Sequence, residues 1–376
     1  MGQGGADGAG ESANTLRLPQ PPEIGSLRIA FVGNFLPHFV PTPTAPTPYS
    51  TEVHLGLSLE ALGHTVLRLQ EGEVRAANVT QAAQGFGADL FIWTQTLGLA
   101  DTGGTISERA AMLEDLRSAG IPSLGVHLDR WWGLERERSV YEQPYFRVDL
   151  LASADGGHDA EWAAAGVNHV WSPPAIYHGE AVTGTYRPEY ASPIAFVGSW
   201  HHYAHEAWPH RRQLIDHLRM RWGRQTKFWP MRGAVRGAAL SDLYASVSVI
   251  VGDSCLVPNS DGSPCTHYIS DRCPETMGRT TSAALVHPRV EGVTDGTLWQ
   301  EGEHLACWAL GDWDELDATI QRLLDNESER RALAGAGYAH TVSHHTYVER
   351  FRRLLPVALR ESHPLALSAR QEAVPA

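Results

Sequence analysis

The sequence predicts an α/β protein of two Rossmann-like, doubly wound domains facing each other across a cleft. Short apolar runs of strand length alternate with helix-length segments, the pattern of a parallel sheet covered on both faces. The alternation then starts again: the apolar run at 193–198 repeats the composition and glycine end of the run at 27–33. A chain of 376 residues, 43% apolar and 19% charged, is long enough to bury two cores. Open α/β sheets bind ligands at their strand ends, so the cleft is where function is expected. The competing reading is two α/β domains with no shared site.

Residues 1–26 are poor in bulky apolar side chains and end near Pro19, Pro21 and Pro22, so a disordered leader is expected there. The strand at 27–33 closes in Gly33-Asn34, and a Pro/Thr stretch at 41–48 follows, either a stiff lid or an idle insertion. Ser50 is a suitable N-cap for a helix carrying Leu55, Leu59 and Leu62. Gly63 stops that helix ahead of a strand at 65–69. Strands at 88–93, 122–127 and 148–152, with helices at 107–119 and 157–165, complete an N-terminal domain at 27–173. Pro173-Pro174 and the loose residues 174–191 read as a linker.

The C-terminal domain, 192–343, opens with the strand at 193–198. A helix at 208–222, a strand at 226–229, a short helix at 240–246 and a strand at 247–251 follow. A long loop, 252–274, leads into a short helix and a strand at 283–286. Beyond residue 311 the pattern is helical, with a closing helix at 344–360 and a disordered tail at 361–376.

Composition narrows the function classes. A net charge of -13 argues against a sequence-blind grip on nucleic acid or an anionic membrane, although a local basic groove remains compatible with it. Lys227 is the only lysine and lies in a strand pattern, a poor place for the Schiff base a pyridoxal-phosphate enzyme needs. No stretch is apolar for long enough to span a bilayer, and residues 1–26 lack a basic patch and an apolar signal core. A cytoplasmic protein with reduced thiols and no stable membrane insertion is expected. Cys255, Cys265 and Cys273, with His267, raise a zinc knuckle in the long loop, but their spacings fit no standard ligand pattern. The histidines at 201, 202, 205 and 210 read as surface or cleft lining rather than metal ligands, and no metal site is expected.

The run 270–281 carries the chemistry. It places Glu275 and Gly278 at a short helix beyond the end of a strand. A carboxylate there can accept both hydroxyls of a ribose, while a helix N-terminus offers N–H groups to phosphate. A nucleotide-sugar site is therefore the first hypothesis; the bland alternative for Glu275 is a helix-end acid after Pro274.

Ordered segments through 27–355 resemble retaining glycosyltransferases of the GT-B fold, of the group 1 or family 4 type, and within them the CgeB-like group. In the N-terminal half these are Val32-Gly33-Asn34, Ser50 to His54 and Leu62 to Val66. In the C-terminal half they are Phe196 to Ser199, His210 to Leu214, Leu243 to Ser246, Gly252-Asp253-Ser254, Arg272 to Glu275 and His344 to Arg350. The resemblance implies a nucleoside-diphosphate sugar donor, UDP- or GDP-linked, held by the C-terminal domain. It also implies an acceptor held mainly by the N-terminal domain, retention of configuration, and no metal or tightly bound cofactor.

Residue by residue, Glu275 matches the second acid of the family's paired-glutamate motif, the one that bonds the ribose. His267 stands where the first acid would fall. Arg211 and Arg212 match an Arg-Lys pair that faces the diphosphate, the second as a fork instead of a point donor. Ser199 replaces a further arginine after Gly198, and Arg279 could restore that charge. His127, with Asp129 two residues on, matches a histidine that contacts the transferred sugar; a satisfied core histidine is the alternative. Gly33 and Asn34 would let the first loop approach the donor phosphate, and Asp253, Arg272 and Gly278 complete the expected donor site. Trp131-Trp132 could stack on a sugar or pack under the cleft. A phosphate oxygen of the leaving group would take the acceptor proton, so no separate base is demanded.

Two rivals remain. One is the same fold glycosylating a modified base in phage-type DNA, which a basic stripe in the cleft would favour. The other is a catalytically silent coat- or surface-associated protein, suggested by Ser199 and His267. The base, the sugar, the acceptor (saccharide, protein, small molecule or DNA base) and the oligomeric state are not encoded in the spacing.

Overall fold

The computed structural model describes residues 24–36, 50–95, 105–199, 208–230, 235–254 and 256–361. Most of the expected leader and tail, the Pro/Thr stretch, Cys255 and the histidines at 201, 202 and 205 lie outside these residues.

The N-terminal sheet is wholly parallel, in the order β2-β1-β3-β4-β5-β6. Its strands are β1 (Arg28–Gly33), β2 (Thr65–Gln70), β3 (Leu90–Thr94), β4 (Ser123–His127), β5 (Leu150–Ser153) and β6 (His169–Trp171). The helices are α1 (Thr51–Ala61), α2 (Ala76–Phe86), α3 (Ile106–Ser118), α4 (Ser139–Glu142) and α5 (Asp159–Ala164). β1, β3 and β4 are near-continuous apolar runs because both faces are covered. Alternate residues serve the two faces. Ala30, Val32, Phe91 and Trp93 pack with Val79 and Ala83 of α2 and Met112 and Leu116 of α3. Ile29, Phe31, Leu90 and Ile92 pack with Leu55 and Leu59 of α1 on the other side.

The C-terminal sheet runs β11-β10-β9-β7-β8, also parallel. It contains β7 (Ser192–Val197), β8 (Thr226–Trp229), β9 (Val247–Val251), β10 (Ala284–Pro288) and β11 (Ala306–Trp308). Around it lie α6 (Arg211–Trp222), α7 (Ala238–Ala245), α8 (Arg272–Met277), α9 (Trp313–Asp325) and α10 (Glu327–His344). Leu214, Ile215 and Leu218 of α6 and Leu316, Ile320 and Leu323 of α9 cover one face; Leu240, Leu243 and Tyr244 of α7 cover the other. In both sheets the strand order reverses beside the first strand, between β1 and β3 and between β7 and β9. Such switch points open a crevice at the carboxyl ends of the strands.

Four elements were not foreseen: α2, whose buried stripe is Ala76, Val79 and Ala83, the one-turn α4, and the three-residue edge strands β6 and β11. The last helix, α11 (Tyr347–Glu361), belongs physically with the N-terminal sheet. Phe351, Leu354 and Leu355 enter the core beside Leu55 and Leu59, each worth about 1.5–3 kcal/mol on burial. Arg350 fastens its start by donating to Pro173 O at 2.9 Å.

The loop after β9 crosses to the N-terminal domain. Arg130 is fully buried and donates to Val257 O and, at 2.7 Å, to Asn259 Oδ1. Gly156 N–H donates to His267 O at 3.2 Å, and the His267 ring meets Trp171 edge-on. His267 has φ +51, the one non-glycine positive φ among the described residues. It is wedged between Gly156-Gly157 and Gly292, where side chains would collide with its ring and Cβ. The residue standing where the family's first acid would fall is therefore an interdomain joint.

Candidate active-site cleft

A cavity of about 180 Å³ lies between the two sheets at their carboxyl ends. Its N-terminal wall includes Glu52 in the first turn of α1, Thr94 and Gln95 at the end of β3, His127 and Asp129 at the end of β4, and Arg136. Trp208, Tyr268, Ser270, Asp271 and Arg272 form the C-terminal wall.

The C-terminal wall is organised by Asp253, directly beyond β9. Arg211 grips this carboxylate with two bonds, Nε to Oδ2 at 2.8 Å and Nη2 to Oδ1 at 3.0 Å. Arg272 Nη1 donates to the same Oδ1 at 2.9 Å. Two guanidiniums on one carboxylate leave net positive charge at the switch point, and the paired forks fix where it sits. Arg211 is buried, stacked on Trp208 with its centre 4.2 Å from the ring, and bonds Ser199 O at 3.1 Å. Arg272 reaches the cavity itself. Gly198 makes this possible: its φ is +152, and a Cβ there would fall 2.7 Å from the Arg272 Cζ.

Arg212 does not join this cluster. Consecutive helical residues point about 100° apart; with Arg211 turned inward, Arg212 pairs with Asp216 at 3.7 Å and its side chain is 66% exposed. Arg279, expected to restore a charge near the diphosphate, is buried elsewhere. It pairs with Glu180 of the linker, lies 3.9 Å from Glu275, and bonds Gly237 O and Ser241 Oγ. Gly278 is the C-cap of α8, packed on Ile176 away from the cavity. Glu275 lies inside α8 rather than ahead of it, one turn beyond Arg272, and is not among the cavity-lining residues. Burial pushes its carboxyl up, while Arg279 and Arg236, the latter 3.6 Å away, pull it down; burial wins.

On the opposite wall His127 is buried, its ring 4.8 Å from that of Trp131, and burial lowers its pKa to about 4. It is thus neutral at pH 7, able to hydrogen-bond a hydroxyl but carrying no charge. Gly33 and Asn34 support this wall from behind. A Cβ at Gly33 would fall 2.5 Å from Thr94 Oγ1 and 2.8 Å from Glu52 Cγ, so only glycine admits both. Asn34 is buried, accepting from Gln70 Nε2 at 3.0 Å and, through its carbonyl, from Ser50 Oγ. Trp131 and Trp132 pack under the cleft, their amides capped by Asp155 Oδ2 at 2.7 and 2.8 Å. Lys227 donates to Glu189 O at the far side of the domain.

Sequence reasoning missed Thr94, Gln95, Arg136 and Tyr268, and took Glu52 only as part of a matched segment. Thr94-Gln95 carried a readable signal: two polar residues directly after the apolar run Leu90–Trp93, at a switch point. Among the described residues no group of three His, Cys, Asp or Glu side chains is arranged to hold a metal ion, and no helix is long and apolar enough to cross a membrane.

Residues 192–356 match the family model described as glycosyl transferase-like. Comparison with curated protein sequences found no match. Among solved structures, a glycosyltransferase from Rickettsia africae superposes with TM-score 0.57 at 8% identity, over 91% of this chain and 100% of that one. The trehalose-phosphate synthase (UDP-forming) of Burkholderia vietnamiensis gives 0.56 at 9% identity, over 92% and 100%. Anabaena HepE in complex with UDP and glucose gives 0.53 at 13% identity, over 88% and 99%. With two parallel sheets joined across a cleft, the chain therefore has the GT-B fold, and its C-terminal portion is glycosyl transferase-like.

Proposed function

We propose that the protein is a glycosyltransferase that moves a sugar from a nucleoside diphosphate to an acceptor, with retention and without a metal. Within the fold we assign it to the CgeB-like group of the family 4 type, on the matched segments. The observation that carries the reading is the Arg211–Asp253–Arg272 cluster, set at a switch point and opposite the neutral His127. UDP is the first nucleotide to test, because HepE was crystallised with UDP.

In this reading Arg272 meets the developing charge of the leaving diphosphate. Asp253 and Arg211 hold its fork in place, so little reorganisation is needed as the bond breaks. In this reading the nucleotide extends out of the cavity along α8, where Glu275, one turn past Arg272, bonds the ribose. His127 accepts from or donates to a sugar hydroxyl. Retention follows from front-face attack: the acceptor oxygen bonds the anomeric carbon as the bond to the diphosphate oxygen breaks, and that oxygen takes the acceptor proton.

Thermal shift with UDP, GDP, ADP, dTDP and CMP tests this. A ligand at about a hundred times its dissociation constant should stabilise by roughly 2.7 kcal/mol. Arg272→Ala and Glu275→Ala should each remove charged hydrogen bonds worth about 1.5–3 kcal/mol of nucleotide affinity. Unchanged affinity in both variants would sink the donor assignment, and adding EDTA to a transfer assay tests metal independence.

A further inference from the structure

The corner of the cavity formed by Thr94 and Gln95 holds more hydrogen-bonding capacity than the protein uses. Both residues are buried, 5% and 7% exposed; Thr94 is the last residue of β3 and Gln95 the next. Thr94 Oγ1, both polar atoms of the Gln95 amide and Nε2 of His127 are buried in cavity-lining side chains, without a hydrogen-bond partner among the described residues. Unpaired buried polar groups are costly and rare, so several in one cavity wall point to a ligand that pairs them. The charges beside them state what kind: Glu52 and Asp129 share this wall, with Arg136 as its one guanidinium among the described residues.

We propose that this wall takes a neutral, polyhydroxylated ring, and that this ring is the acceptor. Calling it the acceptor rests on the glycosyltransferase reading; the binding does not. An amide offers two donors and a carbonyl acceptor, which suits two neighbouring hydroxyls, each able to donate and accept. Carboxylates accept from hydroxyls but repel phosphate and carboxylate groups. A phosphorylated sugar, a uronic acid or a nucleic-acid strand would bring anions against Glu52 and Asp129, so these are the ligands the wall rejects.

Saturation-transfer NMR on the full chain tests the proposal, with neutral mono- and disaccharides, sugar 6-phosphates, uronic acids and a duplex oligonucleotide as probes. UDP thermal shift is run in parallel. Neutral sugars should give the signal, and Gln95→Leu and Thr94→Val should each weaken it about tenfold while leaving the UDP shift unchanged. Gln95→Leu should also raise the melting temperature of the free protein, because an orphaned buried amide is removed. Signals unaltered by both variants, no signal from any neutral sugar, or signals only from the anionic probes would overturn the proposal. So would a lowered melting temperature with sugar binding intact, which would make the amide structural. Competition by UDP-glucose would assign the ring to the donor instead. Loss of the UDP shift with the sugar pattern retained would sink the donor reading and leave this subsite standing.

Discussion

The two walls of the cleft are built on opposite principles. On the C-terminal wall, charge is already matched: Asp253 holds Arg211 and Arg272 with three bonds of 3.0 Å or less. On the N-terminal wall, Thr94, Gln95 and His127 are buried with polar atoms unmatched among the described residues. The first arrangement preorganises a field for an anion before it arrives. The second stores cost in the free protein that only a hydroxyl-bearing ligand repays. A stable scaffold and a destabilised site thus coexist within one cavity, as is common where function competes with stability.

The largest test of this contrast is Asp253→Ala. It leaves the fully buried Arg211 without its carboxylate, and breaking a buried pair this way costs about 3–5 kcal/mol. Chemical denaturation should show that loss, together with loss of nucleotide binding. A denaturation midpoint within experimental error of wild type would mean that the cluster does not organise the wall.

Next in size is pH. Burial lowers His127 on one wall and His287 behind the other to about 4, from an ordinary value of 6.5. A depressed folded-state pKa means that the stability is present above pH 6.5 and is lost as pH falls through 4, when the unfolded chain takes up protons that the native state refuses. Each histidine contributes on the order of 3 kcal/mol to that acid loss. His127→Phe should flatten the fall in unfolding free energy between pH 6.5 and 4; an unaltered slope would place His127 in contact with solvent.

The smallest expected effect is at Arg212. Its exposed pair with Asp216 is worth under about 1 kcal/mol, so Arg212→Ala should change neither melting temperature nor UDP affinity appreciably. A loss of UDP affinity comparable with that of Arg272→Ala would return Arg212 to the diphosphate and undo the distinction between the two arginines.

Periodic and local features were legible in the sequence. The apolar runs of β1, β7 and β9, the Ser50 cap of α1 and the glycine end of β7 rest on interactions within a few residues, so spacing announces them. The candidates Asp253, Arg272 and His127 were named through the segments that resemble a family, and each stands at or just past a strand end or at a helix start. Arg279 was misread because its partner, Glu180, is 99 residues away. The place of His267 was not legible because three glycines from two domains define it.

By itself, the sequence determined two parallel-sheet domains in tandem, a fold class in which strand ends face a cleft, because burial periodicity and turn chemistry act locally along the chain. Tertiary structure alone decided which arginine meets the cavity, which histidine became a joint, and that Thr94 and Gln95 stand unpaired among the described residues, beside Glu52 and Asp129. Those outcomes depend on which distant groups share a desolvated space, and the cost of burying a polar atom is set by its neighbours in three dimensions, not by its neighbours in the chain.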